Sequence, residues 1–387
     1  MTRAPSERAV LAREYDLLVV GGGLIGCAVA WGAAREGARV AVIDGEDGAY
    51  RASVGNFGLL WTQGKGIGAP AYAQWTRQAV RLWAQFAAEL TEASGLDIGF
   101  EQRGGLAFLL SEAEAEKRMA QLAPPGSPRD DFAVEFIAAE ELRKTMPALG
   151  PEVHGATFCR MDGAVNPLPL LQGLRIALER SGVTMLSGRT VERIEPGQGG
   201  FSVHLGLDGN VRGERLLLAA GLGSRELGRG VGLDLAVFPQ RGQLMVTARA
   251  APFLHMPTSA IRQMPEGTVL LGSTQENVGF DKSIGVPQLG QIAQRVVRIF
   301  PCIAELNLVR SWSCLRVMTP DGLPIYQQSE RYPGAFAATA HSGVTLAGIH
   351  ALMLAPALLA GRLPPDVEAF AAGRFADWQA HAGGSEH

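Results

Sequence analysis

Short apolar runs broken by glycine set the rhythm of the first fifty residues. Asp16–Val20 is apolar from end to end, the pattern of a strand buried on both faces of a parallel sheet. Apolar and small residues then continue at helical spacing from about Leu24 to Glu36. Gly37 closes that helix, and Arg39–Ile43 reads as a second strand. Farther on, Trp75, Ala79, Leu82, Trp83, Phe86 and Leu90 fall on one helical face and predict a single amphipathic helix. Leu96–Leu110 reads as two strands around Gly104-Gly105, residues 124–129 as a loop, and residues 167–181 as a helix. Residues 182–196 and 199–221 read as strands and hairpins, with a second strand-to-glycine turn at Leu216–Gly221. FPQRGQLMVT and TVLLGST predict strands of another sheet, and Leu289, Ile292, Ala293, Val296 and Phe300 mark a further helix. Gly343–Gly361 carries no Asp, Glu, Lys or Arg and approaches the length of a membrane span. His350, Pro356 and the many small residues argue instead for a buried helix interrupted at Pro356.

The order of these elements predicts a mixed α/β (α+β) fold. A Rossmann-like dinucleotide-binding domain is discontinuous, with an antiparallel-sheet substrate domain inserted. The expected dinucleotide-binding segments are 1–80, 151–222 and 312–387, and the expected substrate-domain segments are 81–150 and 223–311. At 387 residues the chain exceeds one ordinary core. Its composition, 47% hydrophobic and 19% charged, is that of a globular protein with a large interior. A net charge of −3 without a basic run gives nucleic acid or an anionic membrane no footing. Cys27, Cys159, Cys302 and Cys314 form no C-x-x-C pair, which suits a reducing, cytoplasmic setting, and no His/Cys cluster has metal-ligand spacing. Residues 1–14 read as a short loose leader without a secretory apolar core.

The chemistry begins at Gly21, Gly23 and Gly26, a G-x-G-x-x-G between strand and helix. The first glycine permits the turn, the second admits a pyrophosphate, and the third packs helix on strand. The amides at Leu24 and Ile25 and the helix dipole face the phosphates. Asp44 stands where a carboxylate binds ribose hydroxyls. The motif alone does not separate NAD from FAD. A single fingerprint, with walls drawn from several distant segments, favours FAD. The glycine-rich stretch Ala52–Pro70 carries Phe57, Leu59, Leu60 and Trp61, too apolar for a surface loop, so it is expected to lie against something flat and buried.

The ordered set VVGGGLIG, GAVNPLPLLQGL, GVTMLSGRTVERIE, LLLAAGLGS, PQRGQLMV, LRVMTPDGLPIY and ATAHSGVTLAG resembles the D-amino-acid oxidase-like FAD-dependent oxidoreductases along nearly the whole chain. GNFGLLWTQGKG, LRVMTPDGLPIY and AHSGVTLA look most like the β subunits of D-hydroxyproline dehydrogenases and opine oxidases. The glycine-oxidizing subunit of hydrogen cyanide synthase is a near relative in pattern, and glycine oxidase and sarcosine oxidase are more distant. The resemblance implies oxidation of a D-imino or amino acid, D-hydroxyproline first, to its imine by hydride transfer from the α-carbon to flavin N5. The alternatives are an opine oxidase subunit, a glycine-oxidizing subunit of a cyanide-forming complex, and an FAD scaffold subunit without catalysis. It also implies partner subunits with further redox cofactors, any iron–sulfur cluster belonging to a partner.

In residues, the resemblance sets Arg316, ahead of the TPDG turn, on the substrate carboxylate, where a guanidinium makes two parallel bonds. The alternative is a structural salt bridge. His341 stands where glycine oxidase-like relatives carry an arginine. It could bond the carboxylate, take the amine proton or cap a helix. Ser342, Gly343, Val344 and Thr345 are expected to open the C-terminal helix with their amides toward the flavin pyrimidine ring. Gly322 is expected to let backbone approach the cofactor, while Ser53, Gly55, Asn56 and Gly58 line the opposite approach. Val191 would bond adenine, and Ala220 and Gly221 would contact the ADP part. Cys314 stands where sarcosine oxidase-like relatives hold flavin covalently. Nearer relatives have small residues there, so non-covalent FAD is the expectation and a Cys314 link the minority reading.

Overall fold

The computed structural model describes residues 14–45, 51–123 and 130–378. The expected leader, apart from Glu14, and the loop at 124–129 lie outside the described residues. The central strand is Glu14–Val20, whose inner residues are buried on both faces. Val40–Asp44 and Asn210–Leu218 flank it in parallel, Val20 standing beside both Ile43 and Leu218. Thr184–Ser187 continues the sheet on one side and Ala335–Thr339 on the other, both parallel, and the antiparallel strand Ile325–Gln328 closes that edge. Five parallel strands from four distant stretches therefore end on one side of one sheet. Their carboxyl ends are where open α/β sheets place ligands.

Helix Leu24–Arg35 covers one face of this sheet with Pro167–Arg180 and Trp83–Ser94, around Trp31, Trp75, Trp83 and Phe86. Gly32 lets two helices nearly touch: a Cβ there would lie 2.1 Å from the Ala351 carbonyl oxygen. The opposite face is covered by the hairpin Arg193–Gly197/Gly200–His204 and by Val231, Leu233 and Leu235.

The inserted sheet runs Ile261–Gln263, Val269–Gly272, Phe238–Thr247, Leu308–Met318, antiparallel throughout. Helix Val286–Ile299 and the three-stranded sheet of Gly105–Leu109, Gly155–Cys159 and Val134–Ala138 share a core with it.

Several elements differ from expectation. The predicted helix through Trp75 and Leu90 is two helices, Pro70–Arg81 and Trp83–Ser94, meeting at Leu82. The second packs into the dinucleotide-binding core, although it lies in a segment expected to be substrate domain. Likewise Gly155–Cys159 and Leu308–Met318 carry the inserted sheets past the expected boundaries at 150 and 311. Leu96–Leu110 holds one strand, and its first half makes only an isolated bridge from Glu101 to Ala164. Pro356 does not interrupt the last helix. Residues His350–Leu354 widen into a π turn, which absorbs the missing proline N–H, and Ala355–Leu359 continues as α-helix. Among the described residues, no helix is long and apolar enough to cross a membrane.

Candidate active site

At the end of the first strand each glycine is demanded by a named neighbour. Gly21 has φ +109°, and a Cβ there would lie 2.4 Å from the Ala219 carbonyl oxygen. At Gly26 a Cβ would lie 1.9 Å from the Gly21 carbonyl, so the helix is pressed against the strand it follows. Gly23 faces Ser53, whose Oγ accepts the Leu24 N–H at 3.0 Å at the helix N-terminus. That helix carries no acid in its first turn, so no carboxylate offsets the positive end of its dipole where an anion would lie. Asp44, 3% exposed, accepts the Gly22 N–H and pairs with Arg51 at 2.5 Å. Gly22 and Arg51 escaped the sequence reading. The third consecutive glycine was their signal, because a Cβ at Gly22 would meet the Asp44 carboxylate at 2.7 Å.

A cavity of about 640 Å³ runs from this point along the strand ends, within the size range of cofactor sites. Gly21, Gly23, Leu24, Ile25 and Asp44 line its centre with Ser53 and Asn56. Val191, Arg189, Thr190, Ala220 and Gly221 line it too. His341, Gly343 and Val344 also line it, with Leu315 and Val317 from the inserted sheet and Phe280 and Lys282 from a nearby loop.

The remaining expected residues lie behind this lining. Gly55 holds the strand Leu308–Met318, its carbonyl accepting from Trp312 Nε1 at 3.2 Å and Cys314 Sγ at 3.3 Å. Gly58, with φ +76°, passes within 2.2 Å of Val165 O as measured from a Cβ position. Gly322, with φ +72°, turns clear of its surroundings. Ser342 and Thr345 are buried and bonded inward: Ser342 Oγ accepts from Lys65 and Tyr72, and Thr345 Oγ1 donates to Leu59 O. Residues 341–346 form turns, and helix begins at Ala347, so Ser342–Thr345 lead into the helix rather than open it. The reason is visible in these bonds, which tie the segment sideways to the glycine-rich loop.

Comparison with known proteins settles the family. The profile of the FAD dependent oxidoreductases matches residues 16–357. The chain belongs to that family. It is 39% identical over 371 residues to an opine oxidase subunit of Rhizobium meliloti, covering 95% of this chain and 99% of the relative. It is 29% identical over 408 residues to a hydrogen cyanide synthase subunit of Pseudomonas aeruginosa, covering 94% and 97%. The crystal structure of glycine oxidase from Geobacillus kaustophilus superposes with a TM-score of 0.83 at 25% identity, covering 93% of this chain and 99% of that one.

The residues present fit FAD. The acid-free helix N-terminus suits a pyrophosphate, the buried Asp44 a ribose, and the apolar lining of Leu315, Val317 and Val344 a flat ring system. Burial raises the Cys314 thiol pKa, which keeps it protonated and a poor nucleophile, in keeping with a non-covalent flavin.

The flavin-dependent oxidoreductase carries an unusual charge between the cavity residues Leu315 and Val317, although Arg316 itself is not part of the lining. Arg316 donates from Nη1 to the Arg241 carbonyl at 3.2 Å and from Nη2 to Ser273 Oγ at 2.7 Å. Neither partner is anionic. Glu276, whose charge Arg316 feels, is taken up by Arg241, Gln243 and Thr274. Gly242 makes room for the guanidinium, since a Cβ there would lie 2.5 Å from both terminal nitrogens. His341 is exposed to the open cavity and packed by protein on its other sides. Burial first, then the charges of Lys65 and Arg316, push its imidazole down to about 3, so it is neutral near pH 7. Lys65 gave no sequence signal beyond its place in a glycine-rich loop.

Proposed function

We propose that the chain oxidises a secondary amine bearing an α-carboxylate to its imine, and that it does so within an assembly of further subunits. The observation that carries this reading is Arg316: a guanidinium held by neutral groups only, whose charge reaches the cavity-lining His341. A half-buried cation without an anionic hydrogen-bond partner is well placed to take a substrate carboxylate. Bound FAD would supply the two-electron acceptor for the hydride lost from the α-carbon. The chain's own residues orient the substrate. Arg316 fixes its acid end, and the apolar Leu315 and Val317 exclude water from the reacting face. His341, neutral and weakly basic, hydrogen-bonds the bound substrate rather than storing its proton.

D-hydroxyproline and opines are both secondary amines of this class. The likeness to an opine oxidase subunit favours the second, and the cyanide synthase likeness keeps glycine as the competing substrate. Both of these relatives are named as subunits, which supports partner chains carrying the electrons onward. Four free cysteines support a cytoplasmic site. Anaerobic mixing with cis-4-hydroxy-D-proline, an opine and glycine decides among these. Flavin bleaching by either secondary amine is expected, with Arg316→Met needing about 100-fold more amine for half-reduction. Bleaching by glycine alone would shift the assignment to a glycine-oxidising subunit, and no bleaching would contradict catalysis.

A further inference from the structure

Beside the cavity residue His341 stands another cation, Lys65. Lys65 Nζ donates to Ser342 Oγ at 2.5 Å, and Ser342 lies between the cavity residues His341 and Gly343. Tyr72 also donates to this hydroxyl, at 2.9 Å. Lys65 has no carboxylate partner among the described residues, and its remaining N–H groups have no hydrogen-bond acceptor there.

The position is built rather than incidental. Thr62 and Gln63, just ahead of Lys65, are fastened to the buried Asp162: Thr62 N and Oγ1 each donate at 2.6 Å, and Gln63 Nε2 at 2.9 Å. Thr157 Oγ1 in turn donates to Gln63 Oε1 at 2.7 Å. The Lys65 N–H closes the turn on Thr62 O at 2.9 Å, and the flanking Gly64 and Gly66 have φ +82° and +74°. Trp61 N donates to Thr345 Oγ1 at 3.3 Å, joining the loop to the turn that carries His341. A flexible side chain on a surface loop needs none of these fixtures. A charge meant for a ligand does, because a site must be held in place before the ligand arrives. Arg316 lies on a different element, the strand Leu308–Met318 of the inserted sheet, and the charges of both residues reach His341.

We infer that Lys65 is a second carboxylate-binding residue, so that the site takes an amine carrying two acid groups, one on Arg316 and one on Lys65. This deepens the proposed function and rests on it for the identity of the amine, but the anion site can be read without turnover. The probes are glutarate, with two carboxylates, and pentanoate, with one, titrated calorimetrically into FAD-loaded protein. The wild type is expected to bind glutarate at least about tenfold more tightly than pentanoate. Lys65→Met should abolish that preference while leaving pentanoate affinity and flavin content unchanged, and Lys65→Arg should keep most of it. An equal loss for both anions would show Lys65 sharing the first carboxylate, and an unchanged preference would show it serving the loop alone; either overturns the inference. Should Lys65→Met shed its flavin, Lys65→Gln takes its place in the same titration. If the anion preference depends on Lys65 while no amine bleaches the wild type, the functional reading fails and the second anion site stands.

Discussion

His350 is fully buried, its Nε2 2.7 Å from the Tyr326 hydroxyl and its Nδ1 without a hydrogen-bond partner. Trp75 Nε1 donates to that hydroxyl at 3.1 Å, so the Tyr326 proton is available to the imidazole. Burial pushes His350 from its ordinary 6.5 to about 3. The folded protein thus refuses a proton that the unfolded chain accepts. Stability from this residue is complete above pH 6.5 and is lost as pH falls toward 3, amounting to about 2 kcal/mol by pH 5. Thermal melting at pH 7 and pH 5 should show His350→Gln, which keeps an acceptor for Tyr326, losing less of its melting temperature than the wild type. Equal losses would free His350 from this role. At this scale the sequence spoke unevenly. Asp44 was legible because strand, glycines and acid come in fixed order. Lys65 was not, because lysine beside glycine is ordinary surface chemistry, and its partner Ser342 lies 277 positions away.

Helix Leu24–Arg35 shows how an element positions the site. Its axis is set by Gly26, where a side chain would strike the Gly21 carbonyl, and by Gly32 against Ala351. Gly26→Ala should therefore cost about 1–3 kcal/mol and weaken FAD retention together, since the helix N-terminus must shift with the strand. Gly37→Ala, where a Cβ meets nothing, should lower stability through its φ of +83° and leave FAD retention unchanged. Melting and flavin release on dilution separate the two; loss of flavin from both alike would contradict the packing argument. Helix positions were readable from periodicity, but their ends were not. The pattern through Trp75 and Leu90 keeps one face across Leu82, and only the fold shows that the chain changes helix there. Pro356 misled for a related reason: a π turn upstream satisfies the ladder that proline would break.

Across the whole molecule, one cavity gathers residues from the N-terminus, the middle and the C-terminal segment, with Leu315 and Val317 from the inserted sheet. The discontinuity was legible in a second strand-to-glycine turn at Leu216–Gly221. The domain boundaries were not, because residues 308–318 pair with 238–247 by hydrogen bonds that leave no mark on composition. The arrangement predicts a single flavin enclosed without a covalent bond, since the buried Cys314 thiol points to Gly55 O and burial keeps it protonated. The visible spectrum of the purified chain, before and after acid precipitation, tests this most directly. The expected result is a flavin spectrum at one FAD per chain, all of it released to the supernatant. A colourless protein that takes up no added FAD, or colour that stays with the precipitate, would contradict it.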